Sequence, residues 1–148
     1  MSKDLLAKEI GESFIDGHGD AVTLDDILKR EPKVIGILFT AAWWGGCGPF
    51  KEKTLKPWYK DNVKDIVIII ASKDSDEAGF NAKSFPSDSP FFAFKFGDKK
   101  IAELSEKYKI GGVPYLSIVS LEGKLIDQEG DTKLGEDGII DKWAAKGK

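Results

Sequence analysis

Two stretches of the chain are apolar at almost every position. They are Val34–Thr40 and Asp65–Ala71, and both are rich in β-branched residues. Runs of this kind are typical of central strands whose two faces are both covered by helices. Between them, Lys51–Lys56 is predicted to be helical, and Pro57 is expected to kink or end that helix. Strand, helix and strand together predict a βαβ unit with parallel strands and a right-handed connection.

The residues before the first central strand predict smaller elements. Ser13–Ile15 and Ala21–Thr23 flank a turn rich in Asp and Gly, which predicts a hairpin. Thr23 is followed by Asp26 three residues later, a spacing that can cap a short helix. Leu5–Ile10 forms either a short helix or an irregular segment that leads into the hairpin.

The second half of the chain continues the alternation of helices and strands. Lys99–Lys109 has apolar residues at helical spacing and is predicted to be an amphipathic helix. A hairpin turn is expected before a last strand, Leu125–Asp127. The final helix is predicted to run from about residue 134 to residue 145 and to face the core with apolar side chains.

Composition limits the classes of protein to which the chain can belong. Its 148 residues are 41% hydrophobic and 32% charged, as in ordinary globular domains. We expect one domain over 1–148 of the α/β class, with 1–33 as an N-terminal hairpin and helix extension and 34–143 as the core. The net charge of −3 and the interspersed charges argue against nucleic-acid binding. No apolar stretch approaches the length that spans a membrane.

The chain contains a single cysteine, Cys47. It therefore cannot form a disulfide within these residues or run a dithiol–disulfide cycle by itself. Since the N-terminal residues also lack the pattern of a secretory signal, we expect a reducing, cytoplasmic location. Cys47 stands where the first central strand gives way to the helix. Backbone N–H groups and the helix dipole favour the thiolate form at such a position.

Three segments resemble the thioredoxin superfamily, and in particular its tryparedoxin and nucleoredoxin branch. They are the turn Phe39–Phe50, the loop Ser72–Glu77 and the Gly-Val-Pro turn that contains Val113 and Pro114. The resemblance covers roughly Val34 to Trp143. It implies a thioredoxin-like α/β fold, with a central mixed β-sheet flanked by helices and a cis-proline loop at Pro114.

The resemblance also assigns roles within the turn. Trp43 matches the tryptophan of the family, and Cys47 matches the second cysteine of its Cys-x-x-Cys pair. Trp44 occupies the position of the first cysteine, which is the attacking nucleophile. Because an indole cannot replace a thiolate, the resemblance implies that ordinary dithiol disulfide reductase turnover is absent.

Cys47 has three interpretations. It is a buried small hydrophobic residue, or a monothiol of low pKa that accepts glutathione or is oxidised to sulfenic acid, or a partner in an intermolecular disulfide. Gly45 and Gly46 favour access to the sulfur, because they place no side chains over it. No cofactor is required by the sequence, and glutathione is the one that the monothiol interpretation allows.

The same turn and the proline loop outline a surface for a protein partner. Trp43 is expected to pack under the turn. Trp44 either anchors a partner on the exposed rim or folds back over Cys47. In the family, backbone beside the proline pairs with an extended peptide, so Val113 and Pro114 are expected to form a groove with Trp44.

Metal and phosphate sites are not expected. His18, the only histidine, lies in a turn rich in Gly and Asp, and one His with one Cys cannot make a zinc site. Asp74, Asp76 and Glu77 either bind a cation or form a solvated loop, which is the preferred interpretation. Gly111-Gly112 lacks the residues of a phosphate loop.

The sequence thus supports a protein-binding or structural module, with enzyme activity uncertain. The alternative is a monothiol oxidoreductase or redox sensor that uses Cys47. A third interpretation is that Trp44 is an engineered change in a dithiol reductase. The expected partner is a protein or an extended peptide, and the chain acts as a monomer or as a subunit of a larger assembly.

Overall fold

The computed structural model describes residues 2–41, 49–74, 77, 80–81, 89–110 and 113–147. Its strands are β1 Ser13–Ile15, β2 Ala21–Thr23, β3 Val34–Thr40, β4 Ile66–Ser72, β5 Phe92–Ala93, β6 Tyr115–Val119 and β7 Leu125–Asp127. Its α-helices are α1 Ser2–Ile10, α2 Leu24–Leu28, α3 Lys56–Asn62, α4 Lys99–Lys107 and α5 Ile139–Lys146. A π-helical segment, Phe50–Leu55, and a 3₁₀ turn, Gly130–Thr132, complete the described elements.

The two apolar runs form the centre of the sheet, as predicted. β3 and β4 pair in parallel over their whole length, from Val34 opposite Ile66 to Thr40 opposite Ser72. Every residue of both strands is buried. The absence of hydrophobic alternation in these runs is therefore explained by helices that cover both faces of the sheet.

The described strands form one mixed sheet in the order β2-β1-β5-β4-β3-β6-β7. β6 pairs with β3 in the antiparallel sense, with Phe39 opposite Tyr115 and Ile35 opposite Val119. The predicted N-terminal hairpin is present, with Phe14 opposite Val22. It extends the sheet through one contact, Ile15 opposite Ala93, so residues before the core share its sheet.

Helices cover both faces of this sheet. On one face α1, α2 and α4 contribute Leu6, Ile10, Leu24, Ile27, Ile101, Leu104 and Tyr108 to the core. On the other face the π-helical segment, α3 and α5 contribute Leu55, Tyr59, Ile139, Ile140 and Trp143. The result is the three-layer α/β/α arrangement that strands buried on both faces require. Among the described residues, no helix combines the length and apolar character needed to span a membrane.

The start of α2 follows the capping pattern predicted for Thr23 and Asp26. The Thr23 side chain accepts a hydrogen bond from the Asp26 backbone N–H at 3.2 Å. The Asp26 carboxylate in turn accepts from the Thr23 N–H at 2.9 Å. Both bonds satisfy N–H groups that the first turn of a helix leaves without a partner, and the bond from the Thr23 N–H to the carboxylate lowers the pKa of Asp26.

Pro57 does not end the helix that follows the central strand. Phe50–Leu55 is π-helical, the Lys56 N–H donates to the Lys51 carbonyl, and the chain then continues as α3 to Asn62. Proline lacks an N–H and its ring crowds the carbonyl four residues earlier. In the π-helical turn before Pro57 the hydrogen bonds reach five residues back and not four. The proline therefore interrupts no α-helical bond there, and the helix continues.

The last helix is shorter than its sequence pattern predicts. It begins at Ile139 and not near residue 134, because Gly138 adopts a left-handed conformation with φ 68°. Leu134 is nevertheless buried against the same face of the sheet. Leu134 thus packs in the core although it lies in a turn. Apolar periodicity alone does not distinguish such a residue from one in a helix.

Gly130→Ala is expected to lower the free energy of unfolding by about 1–3 kcal/mol, because overpacking against fixed backbone is costly. A Cβ at Gly130 would lie 2.9 Å from the Leu116 carbonyl oxygen and 2.8 Å from Ile118 Cγ1. The matched control is Gly135→Ala, where a Cβ would have nothing within 4 Å. Urea denaturation of both variants tests this, and equal stabilities would contradict the close packing at Gly130.

Candidate functional site

The frame of the candidate site is the edge of the sheet where β3 and β4 end. Thr40 is paired with Ser72 at this edge. The Lys73 N–H donates to the Thr40 carbonyl at 2.8 Å, which ties the residues beyond the two strand ends together. Ligands of open α/β sheets bind at the carboxyl ends of their parallel strands, and the predicted turn begins here.

Val113 and Pro114 lie at the same edge. They directly precede Tyr115, which is opposite Phe39 in the antiparallel pairing of β6 with β3. Continuing that register places Val113 and Pro114 beside the last residues of β3, where the chain enters the predicted turn. Their peptide bond is cis, and Val113 is partly buried against the core.

The turn residues themselves, Trp43, Trp44, Gly45, Gly46 and Cys47, lie outside the described residues. The structure fixes the chain on either side of them. Ala41 is buried at the end of β3, and Phe50 packs, partly buried, against the core face that α3 and α5 cover. The two ends of the turn are therefore anchored in the central sheet and in the helix that crosses it.

The sequence also offered His18, which is apart from this edge, and the acidic loop that follows β4. His18 is exposed in the β1–β2 turn, and its backbone N–H donates to Asp16 Oδ1 at 2.9 Å. Asp74 Oδ2 accepts from the Ser72 hydroxyl at 2.7 Å. Asp76 lies outside the described residues, and Glu77 is exposed. Within the described parts of the chain, no three His, Cys, Asp or Glu side chains are grouped as a metal site would require.

A cavity of about 640 Å³ borders the same edge, between the end of β4 and the start of α4. Its lining includes Lys73, Asp98 and Ile110. The Lys73 ammonium donates to the Ser105 hydroxyl at 3.0 Å across this cavity wall. The sequence analysis did not identify this cavity, because its lining comes from segments that are distant along the chain.

The sequence also gives no sign of two bonded carboxylates, Asp127 at the end of β7 and Asp131 after it. The Asp131 carboxylate accepts a hydrogen bond from the Leu116 N–H of β6 at 3.0 Å. Asp127 Oδ2 accepts from Lys133 Nζ at 2.6 Å and from Trp143 Nε1 at 3.2 Å. Nothing in the local pattern distinguishes these carboxylates from exposed ones, since their partners are on other elements.

The two carboxylates respond to burial in opposite ways. Burial favours a higher pKa for Asp127, but hydrogen bonds from Lys133, the Glu129 N–H and Trp143 outweigh it, so its pKa is lowered. For Asp131, burial raises the pKa despite the hydrogen bond from Leu116. The negative charges of Glu129 and Asp127 raise it further. The surroundings of Asp131 therefore destabilise its charged form, whereas those of Asp127 stabilise the charged form.

Replacing Asp131 with asparagine is expected to favour the fold increasingly as the pH rises. The native state raises the pKa of Asp131 above 3.8, so its contribution to stability is complete below that value and is lost as the pH passes through the raised pKa. Asparagine does not titrate. The unfolding free energy of the variant minus that of the unchanged chain should therefore be larger near pH 7 than near about pH 3.5. Urea titrations at both pH values measure it, and a difference that falls with pH would contradict the assignment.

Comparison with families of known proteins agrees with this architecture. A family model described as thioredoxin-like matches residues 31–125. That range begins just before β3 and ends at the start of β7, so it contains the central βαβ unit, the predicted turn and the Val113–Pro114 segment.

Curated relatives include several nucleoredoxins. The chain is 31% identical to probable nucleoredoxin 3 of Oryza sativa subsp. japonica over 146 residues, which are 95% of this chain and 28% of that protein. It is 29% identical to probable nucleoredoxin 1 of Arabidopsis thaliana over 128 residues, 85% of this chain and 21% of that protein. The chain therefore spans roughly a quarter of the length of these relatives.

Solved structures with the same fold include tryparedoxins and a thioredoxin. Tryparedoxin II from C. fasciculata superposes with a TM-score of 0.79 at 20% identity, covering 95% of this chain and 93% of that one. Thioredoxin from Wuchereria bancrofti gives a TM-score of 0.76 at 23% identity, covering 93% and 96%. The family match shows that the chain belongs to the thioredoxin-like family, and these solved structures share its fold.

Proposed function

We propose that this chain is a redox-degenerate thioredoxin-like module that binds a protein partner or has a structural role, without dithiol disulfide reductase turnover. The observation that carries the proposal is in the sequence. Trp44 occupies the position of the attacking cysteine, and Cys47 is the single cysteine among the 148 residues. The setting we propose is cytoplasmic, with the chain acting as a monomer or as a subunit of a larger assembly.

The chemistry of the dithiol cycle explains the loss. A first thiolate attacks a substrate disulfide, forms a mixed disulfide and releases one substrate thiolate. A second thiolate then attacks the protein's sulfur of that mixed disulfide, which releases the other substrate thiolate and leaves an intramolecular disulfide. Two sulfur atoms must be present, and an indole at Trp44 supplies neither nucleophile nor leaving group.

The geometry of the frame supports a binding role. Val113 and Pro114 precede β6 next to the end of β3, so an extended partner segment could lie beside them by strand addition. The cavity of about 640 Å³ at the same edge offers space for partner side chains. A rigid aromatic such as Trp44 would supply contact area at a small entropic cost.

The binding role is tested by removing Trp44 and Cys47 separately. Peptides selected from a displayed library of extended 12-residue sequences serve as the probe. Trp44→Ala is expected to weaken binding by at least about tenfold, which corresponds to about 1.4 kcal/mol, whereas Cys47→Ala is expected to leave it within about twofold. Isothermal titration measures both. The reverse pattern would contradict the proposal and favour a function centred on the thiol.

The second candidate is a monothiol oxidoreductase or redox sensor that uses Cys47. It is favoured by the position of Cys47 between the end of β3 and a helical segment, where a thiolate is stabilised. The Cys47 thiolate would attack the disulfide of oxidised glutathione, giving a protein–glutathione mixed disulfide and one glutathione thiolate. Alkylation rate against pH and intact mass with oxidised glutathione separate the two candidates. A thiol that reacts only after denaturation would exclude this one.

A further inference from the structure

Residues 127–133, which we call the strap, begin at the last residue of β7 and lie against β6. The Gln128 side-chain N–H donates to the Lys109 carbonyl at 2.9 Å. The buried Ser117 hydroxyl donates to the Gln128 carbonyl at 3.1 Å, and Asp131 Oδ1 accepts from the Leu116 N–H at 3.0 Å. The strap therefore bonds to β6 and also to the segment that leaves α4.

These contacts are made to residues on both sides of the Val113–Pro114 turn along the chain. Lys109 precedes the turn and Leu116 follows it, and both are held by the same short strap. Lys109 has a positive φ of 56°, a left-handed conformation that ends α4 and that is uncommon for residues other than glycine. The hydrogen bond from Gln128 to its carbonyl restrains this residue.

The strap replaces strand pairing that β7 does not provide. The pairing of β6 with β7 extends only from Val119 to Ile118 opposite Asp127, and stops short of Leu116. The Leu116 N–H therefore has no strand partner in β7. The Asp131 carboxylate supplies the acceptor that a paired strand would otherwise provide. Gly130 allows this approach, since a Cβ there would lie 2.9 Å from the Leu116 carbonyl oxygen.

The strap is fixed to the core at its first residue, Asp127, which also bonds to the strap's last residue. Asp127 accepts hydrogen bonds from Lys133 at 2.6 Å and from the buried Trp143 indole at 3.2 Å. Its side chain is only 8% exposed. Since the strap begins at Asp127 and ends at Lys133, this ion pair joins its two ends, and the hydrogen bond from Trp143 ties Asp127 to α5.

We propose that Gln128 and Asp131 are positioning residues, which fix the Val113–Pro114 turn relative to the end of β3 and so set the geometry of the candidate site. The two side chains hold opposite ends of the turn without lying in it. The proposal rests on the proposed function only for the effect on peptide binding. The effect on the position of the turn is independent of it.

The test compares Asp131→Leu, which removes the acceptor but keeps the same branching of the side chain, with Asp131→Asn, which keeps an acceptor oxygen. Glu129→Gln is the matched control, an exposed carboxylate in the same segment. Amide exchange and Val113 methyl resonances are followed by NMR. We expect Asp131→Leu to speed exchange at the Leu116 amide at least tenfold relative to Ile69 of β4 and to shift the Val113 methyls, while the other two variants resemble the unchanged chain.

Gln128→Ala gives a second, milder perturbation in case Asp131→Leu fails to fold. It is expected to shift the Val113 methyls without changing exchange at Ile69. Unchanged Val113 resonances in either folded variant would overturn the proposal, as would equal effects of Asp131→Leu and Asp131→Asn.

The selected 12-residue peptide tests the link to the site. Asp131→Leu is expected to weaken its binding at least tenfold, and Asp131→Asn is expected to restore it to within threefold. Normal binding by Asp131→Leu would overturn a role for the strap in the site. If no peptide binds the unchanged chain, the proposed function fails, and the NMR comparison still decides whether the strap positions the turn.

Discussion

Trp44→Cys is expected to give the chain disulfide reductase turnover, because the family resemblance assigns Trp44 to the position of the attacking cysteine. The change creates a Cys-x-x-Cys sequence in which Cys47 is expected to be the resolving thiol. Along the chain, position 44 lies between the end of β3 and the helical segment that begins at Phe50. Reduction of insulin by dithiothreitol should be accelerated at least about tenfold over the unchanged chain, about 1.4 kcal/mol in activation free energy.

Two variants control for other effects of removing the indole. Trp44→Ser has a side chain of the same size as cysteine without its sulfur, and should remain inactive. Trp44→Cys combined with Cys47→Ala retains a nucleophile but no resolving thiol, so it should stop at the mixed disulfide, visible by intact mass. If Trp44→Cys is no faster than Trp44→Ser, the assignment of Cys47 to the resolving position is wrong.

Trp143→Ala is expected to have the largest effect on stability, a loss of about 3–5 kcal/mol in the free energy of unfolding. Trp143 is 1% exposed and packs edge-on against Trp58, with ring centroids 6.4 Å apart. Its indole N–H also donates to Asp127. Truncation would leave a cavity between α5 and the sheet and would remove one of the hydrogen bonds that hold the end of the strap.

The packing and hydrogen-bond contributions of Trp143 can be separated by urea denaturation of two further variants. Trp143→Phe keeps an aromatic ring but leaves Asp127 without the indole donor, which should cost about 1–3 kcal/mol. Leu125→Ala is the apolar control, because Leu125 is 41% exposed and surface truncations usually change stability by less than about 0.5 kcal/mol. A Trp143→Ala variant as stable as Leu125→Ala would contradict the packing described.

Several elements could be predicted from the sequence because their signals are local. The central strands β3 and β4 were identified by continuous apolar runs, which only strands covered on both faces require. The hairpin of β1 and β2 and the Thr23 capping box depend on residues close together along the chain. Hydrogen bonds between near neighbours depend little on the rest of the fold, so their patterns are legible in sequence.

The ends of helices were harder to predict, because two local signals competed there. Pro57 indicated a kink or an end of the helix, and the helix continues to Asn62 after a π-helical segment. Leu134 fits the apolar spacing of the last helix, but the helix begins only at Ile139, after the left-handed Gly138. In both cases backbone geometry, which composition does not reveal, decided where regular hydrogen bonding began or ended.

For the candidate site, the sequence alone determined the chemistry. It contains the single Cys47 and the Val113-Pro114 pair, and its family resemblance implies that the Trp44 indole occupies the nucleophile position. What these residue types can do with a disulfide follows from their side chains and not from their coordinates.

Only the tertiary structure decided which residues distant along the chain lie close together at the candidate site. It placed Val113 and Pro114 at the end of β3, and brought Gln128 and Asp131 to either side of that turn. Asp131 and Leu116 are separated by 15 positions along the chain, and their contact depends on β7 ending early and on Gly130 fitting against β6. A carboxylate that completes a strand edge looks in sequence like any surface acid, since its role comes from the backbone donor that the fold brings to it.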